Sequence, residues 1–174
     1  MTRLFVTGDV HGDYDWHKLN TINFPAQKDL TKDDHLVVLG DLGAVWDGAR
    51  GDKYLQNWHS SKNYTTLFVG GNHENYDILD AIPVTEWHGG KVHMVTSSLI
   101  HLMNGQVYEL CGKKIFVMGG AESSDIERRK EGKSWWSHEL PILDDYNEAY
   151  KNLRKHNNKV DLIFTHCAPE QTVS

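Results

Sequence analysis

Short apolar runs at residues 4–7, 36–39, 66–69, 115–118 and 162–164 stand out from a largely polar chain. Runs of this length, apolar on both faces, predict buried strands of a sheet that is covered on both sides. Residues 8–35 and 40–65 separate the first three runs, which leaves room for a loop, a helix and a return between parallel neighbours. Helices are predicted over 52–60, 75–81 and 143–156. In the last of these Tyr146, Ala149, Tyr150 and Leu153 form one helical stripe. Asn104-Gly105 predicts a hairpin joining strands over 92–103 and 106–110, an antiparallel element on an otherwise crossover-linked sheet. Residues 122–137 are polar and charged and close on Trp135-Trp136; they read either as a long functional loop or as a plain surface connection.

The chain has 174 residues, about one domain's worth, and a single domain over 1–174 is expected. Two cysteines, Cys111 and Cys167, make at most one bridge, so a disulfide framework is excluded and reduced thiols are expected. The apolar runs are far too short for a membrane span, and the N-terminus leads directly into a strand. A cytoplasmic protein with no membrane partner is therefore the expectation. A net charge of -6 argues against a broad basic face for nucleic acid and leaves a local nucleotide or nucleic-acid site open. The 11 histidines are a heavy load for this length and need an explanation by position.

That explanation lies at the strand ends. Gly8-Asp9-Val10-His11-Gly12-Asp13 follows the first run, Gly40-Asp41-Leu42-Gly43 the second, Gly70-Gly71-Asn72-His73-Glu74 the third and Thr165-His166 the last. Ligands bind beyond the carboxyl ends of strands in α/β sheets, so Asp9, His11, Asp41, Asn72, His73 and His166 would share one pocket. Two aspartates gathered there, with no lysine or arginine in either motif, would repel unless a cation lay between them. Carboxylate, imidazole and amide donors together suit manganese, iron or zinc better than calcium. Taken singly, each motif is as well read as a turn or a helix cap, with Asn72 a candidate cap for the following helix. Their order and their shared position at strand ends favour a site. His17, His35 and His59 are expected to be surface or capping residues, and Trp135-Trp136 to be packing residues or a stacking platform for a base.

Gly8-Asp9-Val10-His11-Gly12, Gly40-Asp41, Gly71-Asn72-His73-Glu74 and Thr165-His166 together resemble the first four signature blocks of the calcineurin-like metallophosphoesterases. The resemblance runs from position 8 to position 166. It implies an α/β fold, the calcineurin-like αββα sandwich of mixed β-sheets flanked by helices. It also implies a site for two divalent metal ions (Mn, Fe or Zn), with Asp9 and His11 on the first, Asp41 bridging, Asn72 and His166 on the second, and His73 as catalytic acid. The implied substrate is a phosphomonoester or phosphodiester, attacked by water that the two ions activate. From proximity in sequence alone, Asp13 or Glu74 is the expected orienting partner of His73.

Two departures shape these expectations. Asp41 is followed by Leu42-Gly43-Ala44 rather than by a further aspartate and an arginine, which leaves the clamping of substrate phosphate open: Asp47 and Arg50-Gly51 lie further on as candidate substitutes, and Arg128, Arg129 and Lys130 are candidate phosphate-binding cations on the polar loop. The family's last block, Gly-His-x-His, does not occur before Ser174, so the sequence is expected to be a fragment lacking the C-terminal part of its domain, with natural truncation the alternative. A fragment of that kind would hold metal weakly and could pair as a homo-oligomer. The competing functional reading is a catalytically incomplete scaffold that binds a phosphate-bearing ligand or a protein partner.

Overall fold

The computed structural model describes residues 2–168. In chain order its elements are β1 (Leu4–Thr7), β2 (His35–Val38), α1 (Arg50–Ser60), β3 (Thr65–Val69), α2 (Tyr76–Asp80), β4 (Val84–Trp87), β5 (Gly90–Thr96), β6 (Leu99–Leu102), β7 (Gln106–Leu110), β8 (Lys113–Met118), α3 (Leu143–Lys155) and β9 (Leu162–Thr165). All five apolar runs are strands, and the three predicted helices form within two residues of their predicted ends.

Two sheets result. The larger has six strands in the order β1-β2-β3-β6-β5-β4, and the smaller has three in the order β7-β8-β9. β1, β2, β3 and β6 run parallel, as long connections through helical segments require, and β6, β5 and β4 are antiparallel. The strands β2 and β3 alternate between two cores. Val37, Leu67 and Val69 face the small sheet and pack with Tyr108, Ile115, Val117 and Phe164. Leu36, Val38 and Phe68 face the helical side and pack with Leu79, Tyr64 and Trp136. The continuous apolar runs Leu36–Val38 and Leu67–Val69 within these strands are what burial on both faces demands. The layers are thus helices, sheet, sheet and α3, the mixed sheets flanked by helices that the resemblance implies.

The predicted hairpin at Asn104-Gly105 is corrected. β6 and β7 lie in different sheets, and this turn carries the chain between them. Gly105 adopts φ +71°, its N–H donates to the Val117 carbonyl, and a β-carbon there would overlap the Asp145 carbonyl of α3. Two-residue hairpin turns join β4 to β5 at His88-Gly89, β5 to β6 at Ser97-Ser98 and β7 to β8 at Cys111-Gly112; in the first and last both residues have positive φ, as a type I′ turn requires. The stripe expected on α3 also fails. Tyr146 and Tyr150 are exposed, while Ala149 and Asn152 are buried, and Asn152 Nδ2 donates to the Gly105 carbonyl at 2.9 Å. A polar side chain satisfying the inter-sheet turn therefore sets the face of this helix, ahead of its aromatic positions. His35 and His59 are buried rather than capping; burial pushes the His59 imidazole down to about 3.

Among the described residues no helix is long and apolar enough to cross a membrane.

Candidate metal centre

The loops after β1 and β2 are sewn together by backbone. Val10 and His11 donate their N–H groups to the Asp41 carbonyl at 3.2 and 2.8 Å, and Gly12 donates to Leu42 at 2.9 Å. The close approach needs glycine, since a β-carbon on Gly43 would press into the Gly12 backbone. His11 and Asp41 both take left-handed backbone, at φ 47° and 49°, a conformation that costs a non-glycine residue roughly 1 kcal/mol. These two residues are held where their side chains are presented, and the crossed hydrogen bonds keep them there.

Glu74 secures the third loop. It is fully buried, and its two carboxylate oxygens accept the N–H of Leu42 at 2.7 Å and of Gly71 at 2.6 Å. Burial pushes its carboxyl up to about 7, with Asp41 adding to the rise and the two N–H donors opposing it. A β-carbon on Gly71 would overlap the Asp41 carboxylate, so this loop too lies directly on the second. The fourth segment arrives from the other sheet: the His166 ring fills the space over Gly40 that a β-carbon would occupy.

The side chains converge as their positions at the strand ends predict. His11 Nε2 lies 3.6 Å from Asp9 Oδ2 and 3.6 Å from Asp41 Oδ2. His166 Nε2 lies 3.5 Å from Asp41 Oδ1, and its Nδ1 lies 3.7 Å from Asp9 Oδ1. Both carboxylates therefore touch both imidazoles. Asp41 is the buried member, and Asp9 is nearly half exposed. His73 donates its backbone N–H to Asp41 Oδ1 at 2.9 Å. One ligand atom each from His11, Asp41 and His73 lie within 4.8 Å of one another. Asn72 Nδ2 donates to Ser123 Oγ at 3.2 Å.

This donor set fits a divalent cation. The His166 Nδ1 lies 2.7 Å from the Leu39 carbonyl, so it carries a proton and donates there, while Nε2 lies on the Asp41 side, 3.5 Å from Oδ1. An imidazole that donates its far N–H to a backbone carbonyl is the usual arrangement of a metal-bound histidine. Two carboxylates share the space, and none of the ion pairs formed there by Asp9 and Asp41 involves lysine or arginine.

The surroundings of His73 differ from expectation. Neither Asp13, which is exposed, nor Glu74, which is occupied by backbone, orients the ring. Trp46 stacks on it with ring centroids 5.9 Å apart, and His11 meets it edge-on at 5.0 Å. Arg129 Nη2 donates to His73 Nε2 at 3.4 Å, while Arg129 Nε pairs with Asp125 Oδ1 at 2.6 Å. Burial pushes the His73 imidazole below its ordinary value, Asp41 opposes that fall, and Arg129 and His11 reinforce it. The polar loop after β8 thus brings a cation to the site, through Arg129. Trp136 serves packing: it is buried, edge-on to Trp46 at 5.3 Å, with Nε1 donating to Asp77 at 2.9 Å.

Trp46, Ser123 and Glu139 are additions that the motifs do not name. Ser123 follows Gly119-Gly120 at the end of β8, and the same reasoning from strand ends points to it. A cavity of about 840 Å³ opens from His11 and His73 along Trp46, Tyr14, Tyr54 and Leu55.

A family model described as calcineurin-like phosphoesterase matches residues 2–171. Comparison with curated proteins and with solved structures gives no match. With a family match over nearly its whole length and four strand-end loops converging on one acidic, histidine-rich centre, the chain belongs to the calcineurin-like phosphoesterases.

Proposed function

We propose that this protein hydrolyses a phosphomonoester or phosphodiester at a two-metal site, with Asp9 and His11 as ligands of one divalent ion, Asn72 and His166 of the other, Asp41 between them and His73 as general acid. Asp41 carries the reading: buried and in strained backbone, it lies within 3.6 Å of one imidazole and 3.5 Å of another that come from opposite ends of the chain. Such ions, when bound, activate water and neutralise charge on the phosphoryl group.

The chain's own residues then have distinct tasks. Arg129, fixed through Asp125, offers Nη2 to a phosphoryl oxygen; once that oxygen takes over the donor, His73 Nε2 is free to hold a proton for the leaving oxygen. Trp46 keeps the His73 ring in one plane by stacking on it. The organic part of the substrate has space in the cavity between Tyr14, Tyr54 and Leu55.

The test is hydrolysis of aryl phosphomonoesters and phosphodiesters by the purified chain with and without added Mn²⁺. Turnover that requires Mn²⁺ and disappears in Asp41→Asn supports the proposal. Full activity in Asp41→Asn overturns the bridging role, and metal uptake without turnover favours the scaffold that binds a phosphate-bearing ligand.

A further inference from the structure

The loop after β8 also reaches Asn72, by a route that the reaction itself does not use. Ser123 and Glu139 are both buried to 2 % exposure, and both lie in the segment between β8 and α3. Glu139 Oε1 accepts the Ser123 backbone N–H at 2.6 Å, and Oε2 accepts the Ser123 hydroxyl at 2.9 Å. Ser123 Oγ in turn accepts from Asn72 Nδ2 at 3.2 Å. The order of donors along this chain is fixed by its last member. A carboxylate only accepts, so the single hydroxyl proton of Ser123 is committed to Glu139, and only lone pairs remain for the neighbour.

An asparagine side chain has one donating and one accepting end, which a half-turn about its last bond exchanges. Ser123 accepts only the donating end. The amide oxygen of Asn72 is then turned the other way, and among the described residues no side chain donates to it. An amide binds a cation through that oxygen, never through its NH₂.

We propose that Glu139 and Ser123 are positioning residues that set the direction of the Asn72 amide, so that its oxygen is presented as a metal ligand. The inference rests on the reading of Asn72 as a ligand given above. It adds a requirement which that reading does not contain: the buried carboxylate of Glu139, which never meets the ion, decides which atom of Asn72 does.

Three variants separate orientation from simple packing. Ser123→Ala removes the acceptor, and either end of the amide can then face the centre. Glu139→Gln puts an NH₂ group where Oε2 stood, so the Ser123 hydroxyl must accept from it and its proton swings towards Asn72, which selects the wrong end. Asn72→Asp has oxygen at both ends and removes the question of direction.

Two measurements on the 174-residue chain read the outcome. In the metal-free protein, the Asn72 side-chain NH₂ resonances, assigned by their loss in Asn72→Asp, are expected to exchange slowly with water. In Ser123→Ala and Glu139→Gln they are expected to exchange fast. Titration calorimetry with Mn²⁺ is expected to show affinity for one ion falling about tenfold or more in both variants, as for other groups that orient a ligand, with a cooperative melting transition retained in the metal-free proteins. In the Asn72→Asp background, Ser123→Ala is expected to cost no further affinity. Wild-type affinity in Ser123→Ala, or an equal loss in the Asn72→Asp background, overturns the proposal. A wild-type chain that takes up no Mn²⁺ overturns the metal-centre reading itself, a result distinct from either.

Discussion

The backbone N–H of His73 donates to Asp41 Oδ1 at 2.9 Å, so the candidate acid and the candidate bridging ligand are joined across two strand-end loops. Asparagine at position 41 keeps an oxygen for that bond and loses the negative charge. Asp41→Asn is therefore expected to fold, to lose Mn²⁺ affinity by tenfold or more, and to lose turnover with it. The metal-free variant is expected to be slightly more stable than the parent, by up to ~1 kcal/mol, because carboxylate repulsion around His11 is relieved. Calorimetric titration and melting of the metal-free proteins measure both, and the opposite signs mark a residue kept for binding at a cost in stability.

His73 has two roles open to it by geometry, since its ring lies within reach of the same point as His11 and Asp41. The proposed acid role makes a definite demand on His73→Ala: metal content stays at the parent value while kcat falls by about 10²–10⁴. Elemental analysis alongside steady-state kinetics gives the answer. A loss of bound metal would reassign His73 as a ligand.

Glu74 is expected to brace the loops and to take no part in proton transfer. Its two oxygens serve two backbone donors, so Glu74→Gln sets an NH₂ against either the Leu42 or the Gly71 N–H. One buried donor is left unsatisfied, at a cost of about 1–3 kcal/mol. A fall in melting temperature of roughly 3–10 °C is expected, seen equally in metal-free protein. An unchanged melting temperature with lost activity would return Glu74 to the role of partner to His73.

How far these roles could be read from the sequence depended on distance along the chain. Asp9, His11, Asp41, Asn72, His73 and His166 each follow a strand, and a strand end is a local signal. The converging loops needed only the α/β rule to be placed together. Direction was less legible. Glu74 stands beside His73 in sequence but turns back to Leu42 and Gly71, because those N–H groups are buried and need acceptors. Asn104-Gly105 has the composition of a hairpin, yet α3, some forty residues on, covers it, and the tertiary contact turns it into a passage between sheets. Among the three cations at 128–130, only packing chooses Arg129, whose partner Asp125 lies one helical turn back.

Arg129 is expected to act on binding. Arg129→Ala removes a charge-assisted donor that faces the phosphoryl position, and a rise in KM of about tenfold or more is expected, with weaker inhibition by inorganic phosphate. Arg129→Lys retains the charge without the planar fork and is expected to recover only part of it. Bound metal is expected to be unchanged in both variants. Equal phosphate inhibition in the parent and Arg129→Ala would remove Arg129 from the substrate.

His138 ties the two helices that flank this region. Its Nδ1 lies 2.7 Å from Asp80 Oδ2 at the end of α2, and its Nε2 lies 3.8 Å from Asp145 Oδ2 in the first turn of α3. The carboxylates of Asp145 and Asp80 beside it push the imidazole up to about 10 despite partial burial. In the unfolded chain a histidine titrates near 6.5, so between about 6.5 and 10 the folded protein holds one proton more. The stabilisation is complete below about pH 6.5 and fades as the pH rises through about 10. His138→Gln, which keeps a polar group but no charge, is expected to cost about 1–2 kcal/mol at pH 6, allowing for solvent screening. The gap to the parent should narrow steadily towards pH 10. Urea melts of the metal-free proteins at pH 6, 8 and 10 measure it. A gap that stays constant across that range would show that His138 holds the helices by packing alone.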